Sequence, residues 1–181
     1  WTSRTDKIIN QKPDLVVWPE GSVHVNPNDE RRFRKLNGKS PKTFFEHYTK
    51  TGNFHLLIGG GTVERGRNPD GSKWRRAFNS AYSFTRDGSL DLRYDKMVPL
   101  PFGEYIPLSD TFPWLRGIVQ GPGDFRKGKV ATVFKAKDAQ GDEYSYSTPI
   151  CYEGILNSAM RKLSEVDLFI NITNDAWFGD T

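Results

Sequence analysis

The stretch DLVVWPE, residues 14–20, joins a short apolar run to a proline and a glutamate. The run at residues 14–18 predicts a buried strand that ends at Pro19, because proline cannot donate a hydrogen bond to a sheet ladder. Two further apolar runs, HLLI at 55–58 and VDLFINI at 166–172, predict strands of the same buried kind. Loops that follow such strands are where α/β folds place their chemistry, so Glu20 becomes a candidate functional residue.

The segments between these strands complete the outline of a layered domain. Asp87-Gly88 is a turn signal between two alternating segments, which predicts a β-hairpin. The predicted strands of this remainder lie at 77–85, 89–95, 129–136 and 143–151, and the predicted helices lie at 33–51 and 154–163. Residues 99–123 are rich in proline and glycine, which predicts a long ordered loop. We therefore expect one α/β domain over residues 1–181.

Composition excludes several classes of protein. The chain has 181 residues, 36% of them hydrophobic, and a net charge of +4. Its one cysteine excludes an intrachain disulfide, and no run of about 18 apolar residues predicts a membrane span. Basic clusters at 31–35 and 73–76 favour either solvated surface or contact with anionic phospholipid head groups. No RNA-binding, zinc-finger or basic-helix motif indicates nucleic acid.

Three residues whose side chains could take part in catalysis follow predicted strands, namely Glu20, Lys96 and Cys151. If these strands are neighbours, the three side chains converge on one rim of the sheet. A thiol attacks a carbonyl as thiolate, which requires a base or a nearby cation. A carboxylate serves as the base, and an ammonium group stabilises both the thiolate and the oxyanion of a tetrahedral intermediate. The set therefore indicates acyl transfer through a thioester.

Each residue also has a purely structural interpretation. A single cysteine is often a small buried apolar group, a glutamate after proline closes a strand, and a lysine lies on the surface. Only the combination favours catalysis. The histidines do not form a Cys-His arrangement, and Gly59–Gly61 lack the spacing of a dinucleotide loop. No cluster of histidine and cysteine suggests zinc.

Four motifs carry a resemblance to a known family. They are VVWPEGSV at 16–23, YDKMVPLPFGEYIP at 94–107, PICYEGI at 149–155 and INITNDAWFGD at 170–180. The first and third resemble the nitrilase superfamily in general. The PFGEY and NDAWFG motifs resemble, more specifically, its apolipoprotein N-acyltransferase branch. The resemblance implies an α-β-β-α sandwich of the nitrilase type, here incomplete at both ends, as a fragment of a longer membrane protein.

The resemblance also implies a role for individual residues. Glu20 would be the general base, Lys96 the stabilising cation and Cys151 the acylated nucleophile. Glu104 would position Lys96 or assist proton transfer. Tyr152 and Glu153 would support the turn at the nucleophile. Asn174 and Trp177 would lie at the rim of the substrate pocket.

The implied reaction moves a fatty acyl chain from a phospholipid to the cysteine, and then to the N-terminal amine of a diacylglyceryl-cysteine lipoprotein. The resemblance implies that this reaction needs neither a metal nor an organic cofactor. The implied location is the bacterial inner membrane, with this domain on the periplasmic side. Two alternatives stay open. One is a soluble amidase of the nitrilase superfamily that hydrolyses small amides with the same three residues. The other is a non-catalytic binding module, which the intact set of Glu20, Lys96 and Cys151 argues against.

Overall fold

The protein is described from a computed structural model, which covers residues 2–109, 111–112, 114–115, 124–163 and 165–174. The described helices are α1 (Thr2–Ile8), α2 (Glu30–Asn37), α3 (Pro41–Gly52) and α4 (Asn157–Met160), with 3₁₀ turns at Ile9–Gln11, Cys151–Ile155 and Arg161–Leu163. The strands are β1 (Leu15–Val23), β2 (His55–Arg67), β3 (Lys73–Phe84), β4 (Leu90–Asp95), β5 (Phe134–Lys137), β6 (Glu143–Ser147) and β7 (Leu168–Phe169).

The strands form two sheets. The first has the order β1-β2-β3-β4, in which β1 and β2 are parallel and the other pairs are antiparallel. The second has the order β5-β6-β7, with β6 and β7 parallel. The β2–β3 hairpin is long: β1 pairs with it only as far as Gly60, and β4 only as far as Ser80. Beyond those residues β2 and β3 continue as a two-stranded arm to the pair Arg67–Lys73, with one bridge from Phe125 to Ala77 on its side.

Two apolar cores hold the layers together. The first lies between the helices and the outer face of the first sheet, and its fully buried members include Phe33, Phe45, Leu56, Ile58 and Phe84. The second lies between the two sheets, and its buried members include Leu57, Ala81, Tyr94, Phe134 and Tyr146. Alternate residues of β2 and β3 thus point to opposite cores, as strand geometry requires. The predicted α/β class is confirmed.

The predicted helix over 33–51 is wrong as a single element, because the chain forms α2 and α3 instead. Asp29 caps α2 by accepting a hydrogen bond from the Arg32 N–H, and Gly38, with φ of 71°, ends it. Ser40 then caps α3, with Pro41 in its first turn. Since a capped helix ends where glycine adopts the left-handed conformation, the break at 38–40 is locally encoded.

The predicted end of β1 at Pro19 is also wrong, because β1 continues to Val23. Among the described strands, β1 lies at the edge of its sheet and pairs with β2 alone. Its register is irregular between Trp18 and Val23, so the missing N–H of Pro19 removes no regular ladder bond. The irregularity determines where Glu20 lies. The hairpin predicted at Asp87-Gly88 is confirmed, with Gly88 at φ of 79°.

Candidate active site

Glu20 is positioned by the irregularity in β1 and by a glycine opposite it. A Cβ atom added at Gly59 would lie 2.5 Å from the Pro19 carbonyl oxygen and 2.6 Å from Glu20 Cα, so only glycine permits this approach. Gly21 has a φ of 67°, a conformation that favours glycine. Ser22 Oγ donates a hydrogen bond to the Gly59 carbonyl at 2.9 Å and fastens the two strands at this point. The backbone at Glu20 is therefore held from both sides.

Asn79 joins the two carboxylates of the site. Its side-chain Nδ2 donates to Glu20 Oε1 and to Glu104 Oε1, each at 2.6 Å. Sequence reasoning missed this residue. Asn79 lies on β3 on the same face as Ala81, which belongs to the core between the sheets. A polar side chain that shares one strand face with the small buried residues Ala77 and Ala81 is the signal that points to it.

Lys96 is buried, with its side chain 2% exposed, and forms an ion pair with Glu104 at 2.7 Å between Nζ and Oε2. Its backbone is fixed as well: its N–H donates to the Asn79 carbonyl at 2.8 Å, and its carbonyl accepts from the Gly128 N–H at 2.8 Å. Glu104 Oε2 also accepts a hydrogen bond from the Leu100 N–H at 2.7 Å. Hydrogen bonds fix the Lys96 backbone, and the ion pair fixes the end of its side chain. The ammonium group is therefore preorganised.

Glu153 connects the turn at Cys151 to the chain that follows Lys96. Its carboxylate is fully buried and accepts hydrogen bonds from Met97 N–H at 2.7 Å, Val98 N–H at 2.9 Å and Ile150 N–H at 2.9 Å. Tyr94 Oη donates to the same carboxylate at 2.9 Å and 3.0 Å. Burial, followed by the charge of Glu153 and this hydrogen bond, raises the pKa of Tyr94 above its ordinary value. Four protein donor groups thus provide the buried carboxylate of Glu153 with the hydrogen bonds that water would otherwise provide.

Cys151 begins a 3₁₀ turn and is half-buried as a free thiol. Its φ of 54° lies in the left-handed region, which non-glycine residues rarely occupy and which is frequent at active sites. Its N–H donates to the Ile172 carbonyl at 2.8 Å, and its carbonyl accepts from Asn171 Nδ2 at 3.5 Å. The segment after β7 therefore holds the strained turn in place.

The same segment reaches Glu20 from the opposite side. The backbone N–H of Asn174 donates to Glu20 Oε2 at 3.1 Å, only two residues beyond the contact between Ile172 and Cys151. Glu20 and Cys151 are consequently linked through residues 172–174. Lys96 and Cys151 are linked in turn through Glu153, whose carboxylate accepts from the residue next to Lys96.

The structure thus brings Glu20, Lys96 and Glu104 into one hydrogen-bonded network and places the turn of Cys151 beside it. Tyr152 lies next to the cysteine and is half-buried. Trp177, predicted at the pocket rim, lies outside the described residues. Within the ranges that the structure covers, no group of three or more His, Cys, Asp or Glu residues is arranged to hold a metal ion.

Chemically, the arrangement places a carboxylate and an ammonium group in one hydrogen-bonded network that is linked through the backbone to the turn of a free thiol. The carboxylate of Glu20 accepts hydrogen bonds from protein donors and is only half-buried. The ammonium group of Lys96 is a fixed positive charge in a buried setting, where an electrostatic contact is stronger than in water. Such a group suits acyl chemistry at a carbonyl carbon.

Two stacked sheets with helices against one of them define a layered α/β protein, and comparison with known proteins assigns its family. The sequence pattern of the carbon-nitrogen hydrolase family matches residues 3–181. The chain belongs to that family.

Among curated proteins, the chain is similar to apolipoprotein N-acyltransferases. It is 32% identical over 177 residues to apolipoprotein N-acyltransferase 2 of Treponema denticola, which covers 93% of this chain and 31% of the relative. It is also 32% identical over 170 residues to the enzyme of Geobacter metallireducens, covering 92% of this chain and 29% of the relative. The chain therefore spans about three-tenths of the length of these relatives.

Among solved structures, the fold is similar to that of nitrilase-superfamily proteins. The NitFhit protein of C. elegans superposes with a TM-score of 0.57 at 14% identity, over 93% of this chain and 38% of that one. The NitN amidase of Nesterenkonia sp. AN1 gives a TM-score of 0.54 at 15% identity, over 98% of this chain and 62% of that one. These likenesses establish the nitrilase fold, as the resemblance of the motifs implied.

Proposed function

We propose that this chain is the catalytic domain of an apolipoprotein N-acyltransferase. It would transfer a fatty acyl chain from a phospholipid to the N-terminal amine of a diacylglyceryl-cysteine lipoprotein. The observation that carries the proposal is the partly buried network in which Asn79 and Glu104 hold Lys96 and Glu20, linked through residues 172–174 and Glu153 to the strained turn of Cys151. The names of the similar curated proteins support the lipoprotein acceptor. The phospholipid donor is part of our proposal.

In the first half-reaction, Glu20 takes the proton of the Cys151 thiol, and the thiolate attacks the ester carbonyl of the phospholipid. The carbonyl oxygen becomes an oxyanion that Lys96 stabilises. The carbon–oxygen bond of the ester then breaks, and Glu20 returns its proton to the departing lysophospholipid alkoxide. The acyl group is left on sulfur as a thioester.

In the second half-reaction, the lipoprotein amine attacks the thioester carbonyl. Glu20 accepts a proton from the attacking nitrogen, the carbon–sulfur bond breaks, and the thiolate of Cys151 is protonated again. Glu104 does not touch the reacting atoms in this scheme. It keeps the ammonium group of Lys96 in place, as its 2.7 Å ion pair and its bond from Leu100 suggest.

We place this activity at the periplasmic face of the bacterial inner membrane, where the donor and acceptor lipids are found together. In the part of the chain described here, no helix is both apolar enough and long enough to cross a membrane.

The test is intact mass spectrometry of the chain after incubation with phospholipid in detergent, without an acceptor. The proposal predicts a mass increase of one acyl chain, mapped to Cys151 and removed by hydroxylamine. Cys151→Ser is the matched control and should carry no hydroxylamine-sensitive adduct. An unmodified Cys151 together with turnover of small amides would instead support the amidase alternative.

Activity of variants tests the individual roles. Glu20→Gln and Lys96→Met should each lower the rate of adduct formation by about 10²–10³-fold, the usual effect of removing one electrostatic or proton-transfer group. Circular dichroism controls for folding. Unchanged rates in either variant would remove that residue from the mechanism.

A further inference from the structure

The two-stranded arm formed by β2 and β3 beyond Gly60 and Ser80 carries an unusual distribution of charge. Four of its exposed residues are basic and lie on one face: Arg65 stands directly opposite Arg75, and Arg67 stands opposite Lys73. Residues two apart on a strand share a face, and directly paired residues share it as well. We call this surface, made of Arg65, Arg67, Lys73 and Arg75, the cationic face of the arm.

Fold stability does not explain the cationic face. Like charges directly opposite each other in an antiparallel pair destabilise the sheet. The other residues of this face within the arm are Gly61, Val63, Ala77 and Asn79, so it contains no carboxylate. Arg67 donates a hydrogen bond to the Gly71 carbonyl, which orients the guanidinium group but leaves its charge unbalanced.

The opposite face of the same arm is electrically compensated. Glu64 accepts from Arg93 at 2.7 Å and stands across from Arg76. The Arg76 guanidinium lies over the Trp74 ring, 4.7 Å from its centroid, in a cation–π contact. One face of the arm thus pairs its charges within the protein, whereas the four cations of the other face form no ion pair with the residues that the structure describes.

The cationic face is continuous with the candidate active site. Along β3, Arg75 is followed on the same face by Ala77 and then by Asn79, whose amide binds Glu20 and Glu104. Next to the arm lies a cavity of about 700 Å³ whose lining combines basic side chains, including Arg75 and Arg76, and the carboxylate of Asp124 with the large side chains of Leu108 and Phe125. The Phe125 N–H donates to the Glu104 carbonyl at 3.0 Å, which joins this cavity to the site network.

We propose that the cationic face of the arm binds the phosphate groups of anionic phospholipids at a membrane surface. Charge complementarity supports this partner, because basic residues attract anionic lipid surfaces. A lipid surface is favoured over nucleic acid because large apolar side chains are exposed in the loop beside the cavity, among them Phe102 at 64%, Leu108 at 67% and Trp114 at 62%. Exposed apolar groups next to cations are typical of an interfacial membrane contact.

This inference rests on the proposed function for its biological sense, since the surface would bring donor lipid to Cys151. Its test measures binding and not catalysis. The variant Arg65→Gln/Arg67→Gln/Lys73→Gln/Arg75→Gln is compared with the unaltered chain by sedimentation with vesicles of phosphatidylglycerol in phosphatidylcholine. The matched control is Arg31→Gln/Lys35→Gln/Lys39→Gln/Lys42→Gln, which removes equal charge from exposed residues in and around α2 and α3.

The unaltered chain should bind the anionic vesicles, bind them less as salt is added, and bind pure phosphatidylcholine weakly. Each basic residue near such a surface contributes about fivefold in partitioning, or about 1 kcal/mol. The arm variant should therefore lose about two orders of magnitude or more, and the control variant should lose much less. Equal losses in the two variants would overturn the proposal, because net charge and not this face would then govern binding.

Two further experiments separate the remaining explanations. Cys151→Ala should bind vesicles like the unaltered chain. If acyl transfer proved absent, the vesicle binding would still stand, and if vesicle binding proved absent, acylation of Cys151 would still be open to test. A single-stranded RNA added as competitor should displace the chain from vesicles only weakly. Tight RNA binding that is lost in the arm variant, without vesicle binding, would replace the membrane by a nucleic acid and overturn the proposal.

Discussion

Lys96 Nζ lies 2.7 Å from Glu104 Oε2, and the two side chains are only 2% and 14% exposed. The chain contains an ion pair of nearly the same length on its surface, Lys135–Glu143 at 2.8 Å, whose side chains are 66% and 50% exposed. The two pairs differ in environment and hardly in geometry. A buried pair is costly to break, because the remaining charge loses its partner without gaining water.

Glu104→Gln should therefore lower the free energy of unfolding by about 3–5 kcal/mol, since Lys96 would be left as an uncompensated buried charge. Glu143→Gln, the matched surface variant, should change stability very little, because water screens an exposed ion pair. Urea denaturation of both variants measures the difference. A combined Glu104→Gln/Lys96→Met variant should recover much of the loss, and comparable effects of the two single variants would contradict the burial argument.

Glu153→Gln should destabilise the protein and loosen the turn of Cys151. The carboxylate accepts from Tyr94 and from three backbone N–H groups, and an amide presents its own N–H groups to some of these donors. We expect a loss of about 2–3 kcal/mol in urea denaturation, as hydrogen bonds to charged groups contribute about that much. Glu165→Gln, on an exposed residue, is the control and should stay near zero. A neutral result for Glu153→Gln would show that the turn is held by its other contacts alone.

Gly59→Ala should displace Glu20, whereas Gly61→Ala should not. The new Cβ at Gly59 meets backbone atoms of Pro19 and Glu20 within 2.6 Å, but a Cβ at Gly61 meets no atom within 4 Å. Forcing a methyl group against backbone costs about 1–3 kcal/mol. Thermal unfolding and the rate of acyl-adduct formation together measure the effect, and we expect both to fall only for Gly59→Ala. Equal behaviour of the two variants would show that β1 moves freely at this point.

The stability of the fold should fall in alkali because of buried tyrosines. Burial raises the pKa of Tyr82 to about 12 from its ordinary value of 10.0. The unfolded chain therefore releases this proton first, so the stabilising contribution is complete below pH 10 and is lost as the pH rises towards about 12. A shift of this size corresponds to about 2–3 kcal/mol.

Urea denaturation at a series of alkaline pH values measures this loss. Tyr146, whose pKa burial also raises to about 12, should contribute in the same window. The variants Tyr82→Phe and Tyr146→Phe should each flatten the fall of stability with pH, because they remove the titrating hydroxyl. A slope that is unchanged in both variants would assign the alkaline loss to other groups.

Much of the outline of the fold was predictable from local sequence. The apolar runs that became β1 and β2 and the hairpin turn at Asp87-Gly88 depend on residues close together in the chain. The chemistry of the candidate residues was also readable, because a thiol, a carboxylate and an ammonium group after strands suggest acyl transfer by their nature. Boundaries were less predictable: the continuation of β1 past Pro19 depends on its position at the sheet edge.

The sequence by itself determined the layered α/β class and the residue types available for chemistry, because periodicity and side-chain chemistry are properties of short segments. Only the tertiary structure decided that Asn79 joins Glu20 to Glu104 and that Glu153 ties the turn of Cys151 to Met97. Those hydrogen bonds connect residues that are 59, 25 and 56 positions apart. Contacts over such separations depend on which strands become neighbours and in what register, and no local pattern records that choice.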